Sequence, residues 1–227
     1  MERFFNTAGP ISTDIHYYID TRERWDFEEV LFLIQARKYF VLHAPRQTGK
    51  TSALLALMRQ LNSDGQYDAV YANVETAQAA REDVNEGIKA VCLSIAHRHE
   101  MYIKNGLLIN NWDKIFEKSG SQSAVRTLLS FWASNTEKPV VLFLDEVDAL
   151  IGDTLISLLR QLRSGYDSRP NNFPISIVLC GVRDVRDYRI HSSSTKEIIT
   201  GGSAFNVKAE SLRLENFSKA QIQQLYE

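Results

Sequence analysis

The sequence predicts an α/β fold: a three-layer αβα sandwich around a mainly parallel sheet of about five strands, with a helical insertion between the second and third. Three observations lead there. Short apolar runs bounded by turn residues recur along the chain, helical periodicities separate them, and two of the runs are apolar almost without interruption, as strands covered on both faces must be. The runs are KYFVLHA (38–44), YDAVYANV (67–74), PVVLFLD (139–145) and FPISIVLCG (173–181), followed by a weaker one, AFNVKAESLRL (204–214). Apolar residues at helical spacing mark 26–37, 49–62, 77–104, 112–134 and 147–163.

These elements suggest three stretches. Residues 1–37 form an N-terminal segment and an amphipathic helix, 38–216 the αβα core, and 217–227 the start of a C-terminal helical region. The connection from 75 to 138 is long for a strand crossover, so it must hold two or three helices. At the far end Ser218 stands as an N-cap before a helical pattern of about two turns. A fragment with its next domain missing and a genuine C-terminal helix both fit that ending.

Composition narrows the function. The 227 residues are 44% hydrophobic and 24% charged, enough apolar material for a real core. A formal charge of -2 gives none of the broad positive field that nonspecific nucleic-acid binding requires, so any DNA contact would be local. The two cysteines, Cys92 and Cys180, lie in apolar surroundings without metal-like or disulfide-like spacing, and read as buried thiols of a cytoplasmic protein. No export signal or run of ~20 apolar residues stands in the chain, so no membrane span is expected.

The chemistry concentrates in two short stretches. Residues 44–51, A-P-R-Q-T-G-K-T, match the phosphate-loop template G-x-x-x-x-G-K-[ST] except that Ala44 replaces the first glycine. A methyl group there is tolerable provided its φ is negative, whereas Gly49 must let the backbone approach closely. Ala44, Pro45, Arg46, Gln47, Thr48, Gly49, Lys50, Thr51 and Ser52 form the candidate phosphate cradle. The N–H groups at the helix start would wrap a β-phosphate, Lys50 would reach the β- and γ-phosphates, and the Thr51 hydroxyl would ligate Mg2+. The second stretch, VVLFLDEVDAL, places Asp145 and Glu146 where a buried strand ends. Asp145 would complete the Mg2+ site, directly or through water, and Glu146 would deprotonate an attacking water. Asp148 reads as a first-turn helix acid. The pair His97 and His99 in HRH stands two apart on a helix, facing different ways, and is assigned to a solvated face.

Together APRQTGKTS and VVLFLDEVDAL resemble the P-loop NTPases of the additional-strand, catalytic-glutamate group, in particular AAA+-like and STAND-like ATPases; FFNTAGP and HYYID before the loop resemble bacterial AAA-like ATPase domains. The motifs occupy about twenty residues of the chain. The resemblance implies that ISIVLCG inserts in the sheet between the two motif strands. It further implies a polar sensor near the γ-phosphate, for which Arg183 is the candidate in place of the asparagine of many AAA+ proteins; a solvated turn is the other reading of Arg183. Arg160, Arg163 and Arg169 are candidates for an arginine finger. The N-terminal segment should hold the base, with Tyr18, Ile19 and Arg22 as contacts, core packing being equally open for Tyr18. Neither Asn-Lys-x-Asp nor a GTPase Asp-x-x-Gly is present, which favours adenine.

The resemblance thus implies ATP or ADP with Mg2+ as ligands, and ATP hydrolysis coupled to a conformational change in an attached or partner module, with oligomers allowed. Two alternatives remain open: a slow nucleotide switch or scaffold of STAND-like type, and a DNA-acting helper ATPase of helicase-loader kind. A small-molecule kinase fits the adjacent Asp-Glu pair less well.

Overall fold

In the computed structural model of the chain, residues 3–7, 11–20, 23–192, 196 and 198–224 are described. Along the chain the strands are β1 (Tyr39–His43), β2 (Asp68–Asn73), β3 (Val140–Asp145), β4 (Ser176–Gly181), β5 (Arg189–His191), β6 (Ile198–Thr200) and β7 (Lys208–Arg213). The helices are α1 (Phe27–Gln35), α2 (Lys50–Ser63), α3 (Val84–Ile103), α4 (Trp112–Ser119), α5 (Ala124–Ser134), α6 (Gly152–Ser164), α7 (Gly201–Ala204) and α8 (Lys219–Gln224).

Five strands form one sheet in the order β2-β3-β4-β1-β7, and every neighbouring pair is parallel. β4, the strand of ISIVLCG, lies between β1 and β3, as expected. Strand alternation builds the layers. Tyr39, Val41, Val70, Leu142, Leu144 and Leu179 face one side, where they pack with α3, α5 and α6. Phe40, Leu42, Tyr71, Phe143, Val178 and Cys180 face the other, under α1 and α2. Each such fully buried aliphatic side chain contributes about 1.5–3 kcal/mol of transfer free energy, so the sheet is held from both faces. The connections run parallel, so all five strands end on the same edge of the sheet, and the loops after β1 and β3 emerge there together.

The predicted elements appear with three internal breaks. The pattern 77–104 begins as a 3-10 turn (Glu75–Ala80), reverses at Arg81 (φ 50°) and restarts as α3. Asp83 caps that restart by accepting from Asn85 N and Glu86 N. The pattern 112–134 splits into α4 and α5 at Gly120, whose φ of 65° ends the first helix. After β3 the chain makes a 3-10 turn (Val147–Ala149), runs extended through Leu150 and Ile151, and only then enters α6. The antiparallel pair β5–β6 is an addition that alternation does not signal, because each strand is three residues long.

One correction concerns the histidines of HRH. His97 is exposed, but His99 is buried, packed edge-on against Trp132 with ring centroids 5.1 Å apart. Neither of its ring nitrogens has a hydrogen-bond partner. Burial lowers its pKa to about 4, against a smaller opposing pull from Asp68. The assignment to a solvated face fails for His99 because the α3 surface it stands on is covered by α5. Both cysteines are buried and free, as expected.

Candidate functional site

The strand parity that builds the core also builds the site. Tyr71, Asp145 and Cys180 point to the face covered by α2, whose first two residues are Lys50 and Thr51. Thr51 Oγ1 donates to Asp145 Oδ2 at 2.7 Å, which joins the loop motif directly to the end of β3. Asp145 is completely buried. Its Oδ2 also accepts from the Tyr71 hydroxyl at 2.9 Å, and its Oδ1 from the backbone N–H of Glu146 at 2.9 Å. Burial first, and then the nearby Asp145 carboxylate, push the Cys180 thiol up from its ordinary pKa. A buried carboxylate is costly unless its oxygens are satisfied; here three donors satisfy it.

The loop between β1 and α2 carries the features its sequence requires. Gly49 sits at φ 89°, a conformation that strains any side-chain-bearing residue. Ala44 is buried, does not adopt a positive φ, and donates from its N–H to Gly181 O at 3.3 Å. The condition for tolerating alanine is therefore met. Lys50, 5% exposed, donates to the carbonyls of Ala44 and Pro45, both at 2.9 Å, so the loop holds its ammonium at the loop's centre.

A cleft of about 550 Å3 lies over this loop, lined by Arg46, Gln47, Thr48, Gly49, Lys50, Thr51, Ser52, Glu75 and Glu146. Glu146 reaches it from a left-handed backbone, φ 58° and ψ 39°, a conformation that costs a non-glycine residue about 1 kcal/mol or more. Burial, then the carboxylates of Asp145 and Asp148, push the Glu146 carboxyl up from its ordinary pKa, against the pull of Lys50. The environment makes Glu146 a better proton acceptor than an exposed glutamate.

The far side of Gln47, Thr48, Gly49 and Ser52 lines a second cavity of about 550 Å3, closed by Phe5, Ile11, Tyr17, Tyr18, Ile19, Arg24 and Phe217 among others. Tyr18 and Ile19 therefore stand beside the loop, Ile19 buried and Tyr18 half-exposed. Arg22 lies outside the described residues. Arg24 was not singled out by any sequence pattern, yet it bridges the cavity. Its Nη2 donates to Thr48 O (3.0 Å) and Glu215 O (2.7 Å), and its guanidinium lies 3.8 Å from the centre of the Phe217 ring. Its Nε is buried without a hydrogen-bond partner. Ile11 N donates to Ser52 Oγ at 3.3 Å, tying the N-terminal segment to α2.

Other candidates fall elsewhere. Arg183 follows β4 at the same edge of the sheet but lines a separate cavity with Asp148 and Tyr188, not the cleft around Lys50. Asp148 packs against Gly181 rather than merely charging a helix start. Arg160 and Arg163 are exposed on α6, and Arg163 donates to Ser203 O. Arg169 is taken up internally, stacked on Tyr166 and donating to the carbonyls of Tyr166, Arg37 and Ile175, at the opposite edge of the sheet.

Among the described residues no group of three or more His, Cys, Asp or Glu could hold a metal ion by itself. That is compatible with Mg2+ in this cleft, where one hydroxyl, a nearby carboxylate, water and ligand phosphates would share the coordination. The Thr51 hydroxyl donates its proton to Asp145, which leaves the oxygen lone pairs available. No helix among the described residues is long and apolar enough to cross a membrane.

The same fold recurs in solved structures. The Walker-type ATPase PABY2304 of Pyrococcus abyssi matches with a TM-score of 0.61 at 18% identity, over 97% of this chain and 59% of that one. Cdc6p of Pyrobaculum aerophilum matches with a TM-score of 0.54 at 16% identity, over 92% and 49% respectively. AMPPCP-bound DnaA of Aquifex aeolicus matches with a TM-score of 0.50 at 14% identity, over 92% and 50%. The chain thus spans about half to three-fifths of the length of these proteins. Among curated proteins none matches. The family model described as AAA-like domain matches residues 6–227. With that match, the parallel sheet and the inserted β4, the chain belongs to the AAA-like domain family and has the P-loop fold of AAA+ ATPases.

Proposed function

We propose that this domain binds ATP with Mg2+ and hydrolyses it to ADP and phosphate, coupling nucleotide state to a change in an attached or partner module. The observation that carries the reading is the Thr51–Asp145 hydrogen bond, which fastens the phosphate loop to the strand end that delivers Glu146 to the same cleft. Lys50 binds the β- and γ-phosphates, and the N–H groups from Thr48 to Thr51 at the start of α2 receive their negative charge. Thr51 and Asp145 would hold the metal, Asp145 directly or through water. Bound there, Mg2+ would neutralise charge developing on the phosphates. Glu146 orients a water in line with the γ-phosphorus and accepts its proton. The base lies in the cavity bounded by Tyr18, Ile19, Arg24 and Phe217.

Phosphate release under saturating Mg·ATP tests this. Glu146→Gln retains nucleotide binding and loses turnover by about 100-fold or more; turnover equal to wild type would make Glu146 structural.

A second reading, a slow nucleotide switch, draws on the position of Arg183. Of the described residues lining the phosphate cleft, Arg46 and Lys50 are the cationic ones, and Arg183 lines a separate cavity. Wild-type turnover that is negligible alone and rises with a partner would favour this reading. The structural neighbours include the Drosophila ORC bound to DNA; at 9% identity and with a net charge of -2, DNA binding is not part of the proposal.

A further inference from the structure

Two groups besides Thr51 and the Glu146 N–H stand at the Asp145 carboxylate, and no phosphate-loop pattern accounts for them. Tyr71, near the end of β2, is 3% exposed. Its hydroxyl donates to the same Oδ2 that accepts from Thr51. β2 pairs with β3 so that Asn73 stands opposite Asp145 and Tyr71 opposite Phe143. The tyrosine therefore reaches diagonally across the ladder toward the carboxylate. From the other flank the buried Cys180 thiol of β4 stands near the same group.

The arrangement constrains both proposed metal ligands at once. A carboxylate with Oδ2 held by two hydroxyls and Oδ1 by a backbone N–H has one orientation about its terminal bond. With the acceptor fixed, the Thr51 O–H is fixed as donor toward it. The threonine oxygen then presents its lone pairs on the opposite side, facing the cleft that Thr51 lines. Without the Tyr71 hydroxyl the carboxylate can turn, and the Thr51 proton loses its set direction. A partner behind a metal ligand typically tunes metal affinity about 10- to 100-fold.

We propose that Tyr71 is a positioning residue for the Mg2+ site, acting through Asp145 and Thr51 and touching neither nucleotide nor metal. This rests on the reading of the cleft given above. The test is a calorimetric titration of ADP into wild type and Tyr71→Phe, first with EDTA and then with Mg2+ varied at saturating ADP. The variant keeps the ring that fills the core and removes one oxygen. The expected result is an EDTA-phase ADP affinity within twofold of wild type and a Mg2+ midpoint raised about tenfold. A Mg2+ midpoint within twofold of wild type would overturn the proposal. So would equal losses in both phases, which would mark Tyr71 as merely structural. Cys180→Ala, which removes the flanking thiol without removing the tyrosine, guards against a misfolded Tyr71 variant. It should raise the Mg2+ midpoint in the same direction by a smaller factor, and an unchanged midpoint counts against a positioning shell. If wild type binds ADP with no response to Mg2+, the reading of the cleft itself fails, and that outcome is distinct from failure of the variant.

Discussion

The two cavities that share the loop, the two ends of the proposed site, are built from different material. At the proposed phosphate end Lys50 and Thr51 open α2 and Asp145 ends β3; Lys50 donates to a buried loop carbonyl and Thr51 to the fully buried Asp145 carboxylate. At the base end the walls come from chain segments outside the sheet. Arg24 joins the N-terminal residues to Phe217 and ties the loop carbonyl of Thr48 to that of Glu215. Phe5, Tyr17, Tyr18 and Phe217 there are all substantially exposed. On the proposed reading the chemistry sits on the rigid end, held by buried hydrogen bonds, and recognition of the base rests on exposed segments outside the sheet.

The largest effect should come from uncoupling the rigid end. Thr51→Val removes the donor to Asp145 and the hydroxyl proposed for the metal, and should weaken Mg2+-dependent nucleotide affinity about 100-fold; EDTA-phase affinity stays near wild type in a fluorescence titration. A loss confined to the EDTA phase would break the assignment of this end.

At the other end, Arg24→Ala removes two carbonyl bonds made by a charged donor and the contact with Phe217. Nucleotide affinity should fall about tenfold and unfolding free energy by about 2 kcal/mol, read by titration and denaturant melts. If the melt moves but affinity does not, Arg24 only fastens the segments and the base sits elsewhere.

The smallest effect sharpens the oddity of the loop. Ala44→Gly restores the usual first glycine, but Ala44 is buried and already adopts an acceptable backbone. Its affinity should stay within about twofold and its stability fall by roughly 0.5–1 kcal/mol from added freedom of the unfolded chain. A gain in affinity would mean that the methyl group obstructs the phosphates.

The two ends also differ in how far the sequence discloses them. The rigid end is legible because a phosphate loop needs Gly49, Lys50 and Thr51 in a fixed spacing, and because an apolar strand announces where Asp145 and Glu146 emerge. β4 between β1 and β3 follows from the resemblance to additional-strand ATPases. The base end is not legible in the same way. Arg24 acts through carbonyls of residues distant in sequence, contacts that leave no periodicity, and Phe217 stands in a stretch without a motif. Tyr71 reads as one more aromatic strand residue; its role depends on strand parity and on the pairing of β2 with β3. His99 shows the opposite error, a polar letter on a helix taken for a solvated one, when α5 covers it with Trp132.

Isothermal calorimetry of Mg·ATP into the wild-type domain and into Lys50→Ala bears most directly on the claim that the rigid end binds phosphate. The account predicts saturable binding by wild type and affinity at least about 100-fold weaker in the variant, with both proteins showing the same circular dichroism; such a loss corresponds to about 2.7 kcal/mol. Equal affinity in the two proteins, or no binding by the folded wild type, would contradict it.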